Sequence, residues 1–360
     1  MLKVAVNGFG RIGRAAFKVA LERFPDELEI VAVNDLTPAD VLAHLLQHDS
    51  AFGRWEKEVF SSGQNIIIDN KKYQILSEKI PANLPWKDLG VDVVIEATGR
   101  FSKYEDLHQH ILAGAKKVVV TAPAKSSTSG ESPSTTLGTR KPTPEVSSVV
   151  QTYLMGVNHN KYQGEEIISN ASCTTNCIAP IMSILSEKFG VQKAVMTTAH
   201  AVTAEQNLVD GPPPGGKSVD LRRARAAYTN IIPTTTGAAV SVTEVIPELK
   251  GKFDGRALRV PVIVGSISDI TCLLNKKTTV EEINETFKQV CSEEKWKGIV
   301  AWSDDNLVST DIIKRPESAI VDLPLTQVVD GDLIKIFAWY DNEWGYSNRL
   351  IEMVAHIGKM

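Results

Sequence analysis

The feature that most constrains this chain is the run GFGRIG at residues 8–13, which fits the pattern G-x-G-x-x-G. It lies between a β-branched segment at residues 3–7 and an amphipathic segment at residues 11–24 that stops before Pro25. A glycine turn between a strand and a helix leaves backbone N–H groups free at the helix N-terminus, where the helix dipole favours a pyrophosphate. The run therefore predicts a dinucleotide-binding βαβ unit in which Gly8, Gly10 and Gly13 contact the cofactor.

Asp35 follows at the end of the second predicted strand, residues 29–34. A carboxylate there can accept hydrogen bonds from both hydroxyls of the adenosine ribose and repels a 2′-phosphate, which favours NAD over NADP. Strands at residues 91–97 and 117–121 and a helix at 102–113, capped by Ser102 and stopped by Gly114, continue the alternation. The alternative is that the glycines only pack a helix on a strand and Asp35 caps a turn.

Composition limits the remaining classes of function. A chain of 360 residues is long enough for two domains, and its formal net charge of −4 makes nucleic acid a poor main partner. Four cysteines without a paired C-x-x-C spacing indicate neither a disulfide scaffold nor a metal site, and they favour a reducing compartment. The first strand leaves no room for a secretory signal and no apolar run could span a bilayer, so we expect a cytoplasmic protein without membrane contacts.

Residues 125–152 interrupt this pattern, because thirteen of them are Ser or Thr and three are Pro. Such a segment buries too little apolar surface to offset its ordering entropy, and we expect an exposed or disordered loop. Beyond it the sequence predicts strands at 167–170, 193–203, 256–264, 266–275 and 333–340, and helices at 173–188, 237–249, 280–293 and 346–357.

Cys173 and His200 form a candidate nucleophile and base. Cys173 lies between a predicted strand end and a helix start, where unpaired N–H groups and the helix dipole are expected to stabilise a thiolate. His200 lies near the end of a neighbouring strand and can take up a proton. Each residue also has a plain structural interpretation, as a small buried side chain or a hydrogen-bonded core histidine. Cys177 is expected to pack inward, with a Cys173–Cys177 disulfide or a metal site as the minor alternative.

Five segments together carry a family resemblance. They are NGFGRIGR at 7–14, SNASCTTNC at 169–177, LRRARAA at 221–227, NIIPTTTGAA at 230–239 and WYDNEWGYSNR at 339–349. The chain resembles phosphorylating glyceraldehyde-3-phosphate dehydrogenases of the bacterial type over all but residues 125–152. The cysteine segment is the most specific of the five, and it favours the catalytic interpretation of Cys173 and His200.

The resemblance implies a two-domain fold. Residues 1–172 and 342–360 would form the NAD-binding domain, a Rossmann-type α/β unit with a doubly wound parallel sheet and an insertion at about 125–152. Residues 173–341 would form an α+β catalytic domain with a mostly antiparallel sheet, and a homotetramer is expected. The backbone of Arg11, Ile12, Thr98 and Gly99 and the side chains of Asp35, Thr121 and Asn342 would hold NAD.

The resemblance also implies the reaction. The Cys173 thiolate would add to the aldehyde carbon of glyceraldehyde 3-phosphate, and His200 would accept the hydroxyl proton as a hydride leaves for the nicotinamide. Inorganic phosphate would then attack the thioester and release 1,3-bisphosphoglycerate, while the Cys173 N–H and His200 hold the oxyanion. One phosphate would be held by Thr203, Arg223 and Arg259, and the other by Ser172, Thr174, Thr236 and Gly237.

Several alternatives stay open at this stage. An erythrose-4-phosphate dehydrogenase would share the cysteine and histidine, but usually not the TGAA run at residues 236–239. A redox sensor in which Cys173 only oxidises, or an RNA-binding protein, would not need the phosphate ligands. At least one of Arg222, Arg223 and Arg225 is expected to be solvated. The loop at residues 210–217 is rich in Pro and Gly, and in the family this loop approaches the cofactor of a neighbouring subunit. The choice between strict use of NAD and use of both NAD and NADP therefore stays open.

Overall fold

The structure is a computed structural model that describes residues 1–124, 149–213 and 220–360. Most of the predicted loop at 125–152 and part of the loop at 210–217 lie outside the described residues. The predictions for these two loops therefore stay predictions.

Nineteen strands and eight α-helices are formed by the described residues. The helices are α1 Arg11–Arg23, α2 Ala39–Gln47, α3 Trp86–Leu89, α4 Tyr104–Leu112, α5 Cys173–Lys188, α6 Ala238–Val245, α7 Val280–Val290 and α8 Trp344–Gly358. The strands are β1 Leu2–Asn7, β2 Leu28–Asn34, β3 His48–Asp49, β4 Gly53–Arg54, β5 Val59–Ser61, β6 Asn65–Ile68, β7 Lys71–Leu76, β8 Val93–Glu96, β9 Lys117–Val120, β10 Gln151–Thr152, β11 Ile167–Ser169, β12 Val191–His200, β13 Ile232–Thr235, β14 Phe253–Arg259, β15 Ser266–Leu274, β16 Val300–Ser303, β17 Ala319–Asp322, β18 Gln327–Val329 and β19 Leu333–Tyr340.

The first sheet confirms the predicted doubly wound α/β unit. Its nine strands run in the order β10-β11-β9-β8-β1-β2-β7-β6-β5, and only the β5–β6 and β6–β7 pairs are antiparallel. The chain crosses from β1 to β2 on one side and to β8 and β9 on the other, so the strand order reverses beside β1. In open parallel sheets a ligand binds at such a reversal, outside the carboxyl ends of the strands.

The second sheet is mixed, with mostly antiparallel pairs, as the resemblance implied. Its main order is β13-β14-β12-β15-β19-β17-β16, and β18 pairs with β19. Two pairs, β12 with β14 and β16 with β17, are parallel. The β12–β14 register places His200 opposite Arg259, so the sheet itself brings these two predicted site residues together.

Apolar side chains fill three clusters that correspond to the sheet faces. One lies between the second sheet and α5, α6 and α7. The other two cover opposite faces of the first sheet, and the larger of them contains Leu350, Ile351, Met353 and Val354 of α8. The last helix therefore returns to the first sheet, which explains why most of its residues are buried.

Some predicted boundaries are wrong. Ser102 does not cap α4, because the N-cap is Lys103 and no side chain closes that turn. The predicted helix at 237–249 is split, since Ile246 stands before Pro247 and takes a non-helical conformation before a short 3₁₀ turn. Helix α2 and strands β5, β6 and β7 were not predicted.

No helix within the described ranges is both long and apolar enough to cross a membrane. The same part of the chain contains no group of three or more His, Cys, Asp or Glu side chains arranged to hold a metal ion.

Candidate active site

Cys173 and His200, predicted as nucleophile and base, lie in contact. The Cys173 Sγ is 3.4 Å from His200 Nε2. Cys173 is the first residue of α5, and the N-cap Ser172 accepts a hydrogen bond from the Thr175 N–H. The preceding Ala171 has a φ of 52°, in the left-handed region that non-glycine residues rarely adopt. This turn redirects the chain from β11 into α5 and places the thiol at the start of the helix.

Arg259 is the third member of this group and lies on the other side of the imidazole. Its Nη1 is 2.7 Å from His200 Nδ1 and 3.2 Å from the Ala201 carbonyl oxygen. That carbonyl is also 2.7 Å from Nδ1. Because a guanidinium only donates, Nδ1 can either accept from Arg259 or donate to Ala201, and the two bonds require different tautomers. The contact with Arg259 therefore bears on which ring nitrogen carries the proton.

Burial shapes the protonation of this pair. It lowers the pKa of His200 to about 3, and the charge of Arg259 adds to the effect, so the imidazole is neutral. Burial also raises the pKa of the Cys173 thiol, against the charge of Arg259 and the hydrogen bonds of Thr174. Burial therefore opposes the predicted stabilisation of a thiolate at the helix N-terminus, and that stabilisation stays a prediction. A neutral imidazole can accept the thiol proton at Nε2 only in the tautomer that carries its hydrogen on Nδ1.

Tyr340 contacts residues on the two elements that carry the catalytic pair, and the sequence pattern does not indicate this role. Its buried hydroxyl is 3.0 Å from Thr174 Oγ1 and 2.7 Å from Thr198 Oγ1. Its ring packs edge-on to His200 with centroids 6.1 Å apart. Tyr340 thus links α5, which carries the cysteine, to β12, which carries the histidine. A tyrosine at the end of an alternating strand has no local signal for such a role.

Thr203 and Arg223 are the other two predicted ligands of the phosphate assigned to Arg259. Thr203 follows β12, and its buried Oγ1 has no hydrogen-bond partner among the described residues. Burial and the positive charge of Arg259 lower the pKa of Arg223, which places the two guanidinium groups near each other. Arg223 also bonds Glu205. Two neighbouring guanidiniums and an unpaired hydroxyl suit a phosphate group.

The second predicted phosphate set is distributed over two helix starts. Ser172 and Thr174 begin α5, whereas Thr236 and Gly237 precede α6. The Thr236 Oγ1 accepts a hydrogen bond from the Ala238 N–H. No contact joins Thr236 or Gly237 directly to Cys173 among the described hydrogen bonds.

The two remaining arginines of the run at 221–227 point to solvent. Arg222 is exposed and bonds Asp220, and Arg225 is exposed and bonds Asp210. This confirms that at least one of the three is a solvated surface residue. Arg223 is the least exposed of them.

A cleft of about 600 Å³ opens at the strand reversal of the first sheet. Gly8, Gly10, Asp35 and Thr98 are among the residues that line it. The Asp35 carboxylate accepts hydrogen bonds from the Phe9 N–H at 2.7 Å and from the Thr37 N–H at 2.9 Å. Each carboxylate oxygen keeps a further lone pair, so both could still accept from ribose hydroxyls.

The three fingerprint glycines have different surroundings. A Cβ on Gly13 would lie 2.0 Å from the Gly8 carbonyl oxygen, so this glycine lets α1 pack on the strand turn. Gly8 has a φ of 94°, and its missing Cβ would meet the Thr98 nitrogen at 2.6 Å. Gly10 has nothing within 4 Å of its Cβ position and is the N-cap of α1. Open space at a helix N-terminus, before Arg11 and Ile12, fits the pyrophosphate of a dinucleotide.

Thr121 and Asn342 lie closer to the catalytic pair. Thr121 follows β9, and the preceding Val120 carbonyl accepts a hydrogen bond from Asn170, three residues before Cys173. The Asn342 Oδ1 accepts from the Gly265 N–H and the Ser266 hydroxyl, both at 3.1 Å. That hydroxyl accepts in turn from the Ala201 N–H, next to His200. The Asn342 Nδ2 makes no hydrogen bond among the described residues and can donate to a carboxamide oxygen.

Comparisons with known proteins agree with this arrangement. The family model for the glyceraldehyde 3-phosphate dehydrogenase NAD binding domain matches residues 2–104, and the model for the C-terminal domain of the same enzymes matches residues 172–342. The chain is 46% identical over 359 residues to glyceraldehyde-3-phosphate dehydrogenase of Streptomyces coelicolor, covering 99% of this chain and 98% of the relative. It is 46% identical to the enzyme of Geobacillus stearothermophilus, with the same coverage, and 47% identical to that of Mycobacterium avium, with 99% of each covered.

The chain belongs to the glyceraldehyde-3-phosphate dehydrogenase family. It is therefore an NAD-dependent oxidoreductase of glycolysis that acts on glyceraldehyde 3-phosphate and phosphate. Family membership therefore shows that the chain is an enzyme. The alternative interpretations as a non-catalytic redox sensor or an RNA-binding protein are no longer needed to explain its sequence.

The structure also describes the surroundings of the four cysteines. All four are free thiols, and Cys177 is buried with its Sγ 3.8 Å from the Ala338 carbonyl oxygen. Cys177 thus packs inward as predicted, and no disulfide joins it to Cys173.

Proposed function

We propose that Cys173 is the nucleophile and His200 the general base of glyceraldehyde 3-phosphate oxidation. The observation that carries this assignment is the 3.4 Å contact between the thiol sulfur and His200 Nε2 at the start of α5. The sulfur would form a bond to the aldehyde carbon while its proton passes by way of Nε2 to the aldehyde oxygen, and Nε2 would then accept that hydroxyl proton as the hydride leaves the same carbon to give a thioester. NAD, when bound, supplies the hydride acceptor, and phosphate cleaves the resulting thioester.

Arg259 would couple substrate binding to the tautomer of His200. While Arg259 Nη1 lies 2.7 Å from Nδ1, it favours the tautomer that carries its hydrogen on Nε2, which cannot accept a proton. A substrate phosphate that draws the guanidinium towards Thr203 and Arg223 would free Nδ1 to donate to the Ala201 carbonyl. Nε2 then becomes the acceptor that the thiol requires.

The other site residues would serve the two phosphates and the cofactor. Ser172, Thr174, Thr236 and Gly237 would hold the attacking phosphate through hydroxyl and backbone donors at the two helix starts. Asp35 would bind the adenosine ribose, and the Asn342 Nδ2 would orient the nicotinamide carboxamide. The remaining cofactor contacts would come from Gly8, Gly10, Arg11, Ile12, Gly13, Thr98, Gly99 and Thr121.

The larger organisation is also a proposal. Residues 1–172 and 342–360 would form the NAD-binding domain and residues 173–341 the catalytic domain. Support comes from the apolar clusters, since residues of α8 pack with the first sheet. A homotetramer in the cytoplasm is the state that family membership favours.

Turnover of defined variants tests the catalytic assignment. NADH formation should require both glyceraldehyde 3-phosphate and inorganic phosphate, and erythrose 4-phosphate should be the poorer aldehyde. Cys173→Ser should abolish turnover, and His200→Asn should lower it by roughly 10²–10⁴-fold, while both variants still bind NAD. Cys177→Ser, which changes a buried thiol one turn away, is the matched control and should stay active. Near-normal turnover by Cys173→Ser would overturn the mechanism.

A further inference from the structure

A carboxylate is buried beneath the cofactor cleft. Glu96 ends β8 and is 1% exposed. Its Oε1 accepts from the Thr98 N–H at 2.8 Å and from the Thr98 hydroxyl at 2.5 Å. Its Oε2 accepts from Asn7 Nδ2 at 2.5 Å and lies 3.1 Å from His110 Nε2. Only an ionised carboxylate can accept from all of these donors.

The hydrogen on His110 is placed by a second buried side chain. Trp86 Nε1, which can only donate, lies 2.9 Å from His110 Nδ1. Nδ1 is therefore the acceptor, and the ring hydrogen is on Nε2, pointing at Glu96. Trp86 and His110 both have no exposed surface, so neither contact is shared with solvent. Trp86 on α3 and His110 on α4 therefore hold the Glu96 carboxylate from the side opposite the cleft.

On its other side the network reaches the ends of the strands that form the cleft. The Asn7 Oδ1 accepts from Asn34 Nδ2 at 2.7 Å. Asn34 in turn bonds both the backbone N–H and the carbonyl of Glu78, each at 2.8 Å. Asn7, Asn34 and Thr98 therefore hold β1, β2 and β8 at the points where their cofactor loops begin.

The residues held in this way stand next to the proposed cofactor ligands. Asn7 precedes Gly8, Asn34 precedes Asp35, and Thr98 is followed by Gly99. Asn7, Asn34, Glu78 and Thr98 also line the cleft, whereas Glu96, His110 and Trp86 do not. Glu96, His110 and Trp86 can therefore affect the cofactor only through the residues that line the cleft.

We propose that Glu96 and His110 are positioning residues for NAD, which set the spacing of the three loops that grip the adenosine half of the cofactor. This proposal rests on the assignment of Asp35, Thr98 and Gly99 to the cofactor. The buried carboxylate needs all of its donors, because the loss of one hydrogen bond to a buried charge costs free energy. The loops would shift to replace the lost donor. His110 supplies the one donor that comes from outside the cleft wall.

Direct NAD binding to the purified enzyme tests the proposal. Glu96→Gln and His110→Leu should each raise the Kd for NAD by roughly 10- to 100-fold, the equivalent of one hydrogen bond to a charged group. His110→Gln keeps an N–H donor and should restore most of the affinity. The KM for glyceraldehyde 3-phosphate at saturating NAD should stay at the wild-type value. This split separates a cofactor-positioning role from general damage to the fold.

Glu352→Gln is the matched control. Glu352 bonds the almost fully buried Arg349 on α8, so this variant also removes the acidic partner of a buried group, but away from the cleft. It should lower stability with no change in the Kd for NAD. An unchanged Kd in His110→Leu would overturn the proposal, as would equal Kd increases in Glu352→Gln and Glu96→Gln.

A nitrogen-15 spectrum provides a test that does not depend on the variants at Glu96. In the wild-type enzyme His110 should show the hydrogen on Nε2, and Trp86→Phe should release part of the population to the other tautomer. A wild-type His110 with its hydrogen on Nδ1 would contradict the proposal. If Asp35, Thr98 and Gly99 did not hold NAD, Asp35→Ala would leave the Kd for NAD unchanged while His110 still carried its hydrogen on Nε2, so failure of the cofactor assignment and failure of this proposal are distinguishable.

Discussion

Glu343→Gln should destabilise the protein by breaking an ion-pair clamp between two distant parts of the chain. Arg11, in the glycine-rich run, donates from Nε to both Glu343 carboxylate oxygens at 2.9 and 3.0 Å. Its Nη1 donates to Asp49 at 2.5 Å. Burial lowers the pKa of Arg11, but the hydrogen bonds and charges of Glu343 and Asp49 outweigh it and the net shift is upward. The clamp joins the start of α1 to the residue after Asn342.

The size of the effect follows from how much of the clamp is exposed. The side chains of Arg11, Glu343 and Asp49 are 27%, 10% and 7% exposed. Removing one partner of a fully buried pair costs about 3–5 kcal/mol, whereas exposed pairs contribute about 0–1 kcal/mol. Arg11 keeps Asp49 and partial access to water, so we expect a loss of about 2 kcal/mol. The Kd for NAD should also rise, because Asn342 stands beside the broken contact.

Urea unfolding followed by tryptophan fluorescence measures this loss. Glu317→Gln is the control, because its partner Arg315 is 40% exposed, and this pair should contribute less than about 1 kcal/mol. A double-mutant cycle with Arg11→Met isolates the coupling between Arg11 and Glu343. If Glu343→Gln unfolds at the same urea concentration as Glu317→Gln, the clamp does not stabilise the fold and the reasoning is refuted.

Four further variants have defined outcomes. Gly13→Ala should lose both stability and NAD binding, because its Cβ would lie 2.0 Å from the Gly8 carbonyl oxygen. Gly10→Ala has nothing within 4 Å of its Cβ and should keep the wild-type urea midpoint yet bind NAD weakly. Equal urea midpoints for the two variants would contradict this. Burial raises the pKa of Asp341 to about 6 against an ordinary 3.8, so this group favours folding fully below about pH 4 and loses that contribution as pH rises through 6. The stability of Asp341→Asn relative to wild type should therefore increase by about 1–3 kcal/mol from pH 4 to 7 in urea titrations, and a constant difference would refute it. Asp35→Ala should narrow the ratio of kcat/KM for NAD over NADP, and a wild type that prefers NADP would show that Asp35 does not set the choice.

Much of the first sheet could be predicted because its signals are local. A glycine-rich turn between a strand and a helix, followed by Asp35 at the end of the next strand, needs only a few neighbouring residues to be recognised. Helix α5 is similar, since it starts at Cys173 as predicted, and Ser172 is its N-cap. The Ser102 cap failed because a capping residue type does not decide which backbone N–H groups lie within its reach.

The sequence by itself determined the chemistry of this protein: a dinucleotide fingerprint, a cysteine at a helix start, and arginines and hydroxyls suited to phosphate. Only the tertiary structure decided how those groups act on one another. His200 and Arg259 are 59 positions apart and touch because β12 and β14 pair in parallel register. Burial raises the pKa of Cys173 against the effect expected from the helix N-terminus, because desolvation depends on the atoms that surround the sulfur, and these come from distant segments. Glu96, His110 and Trp86 meet for the same reason, since long-range packing, which local sequence does not encode, places a donor against each acceptor.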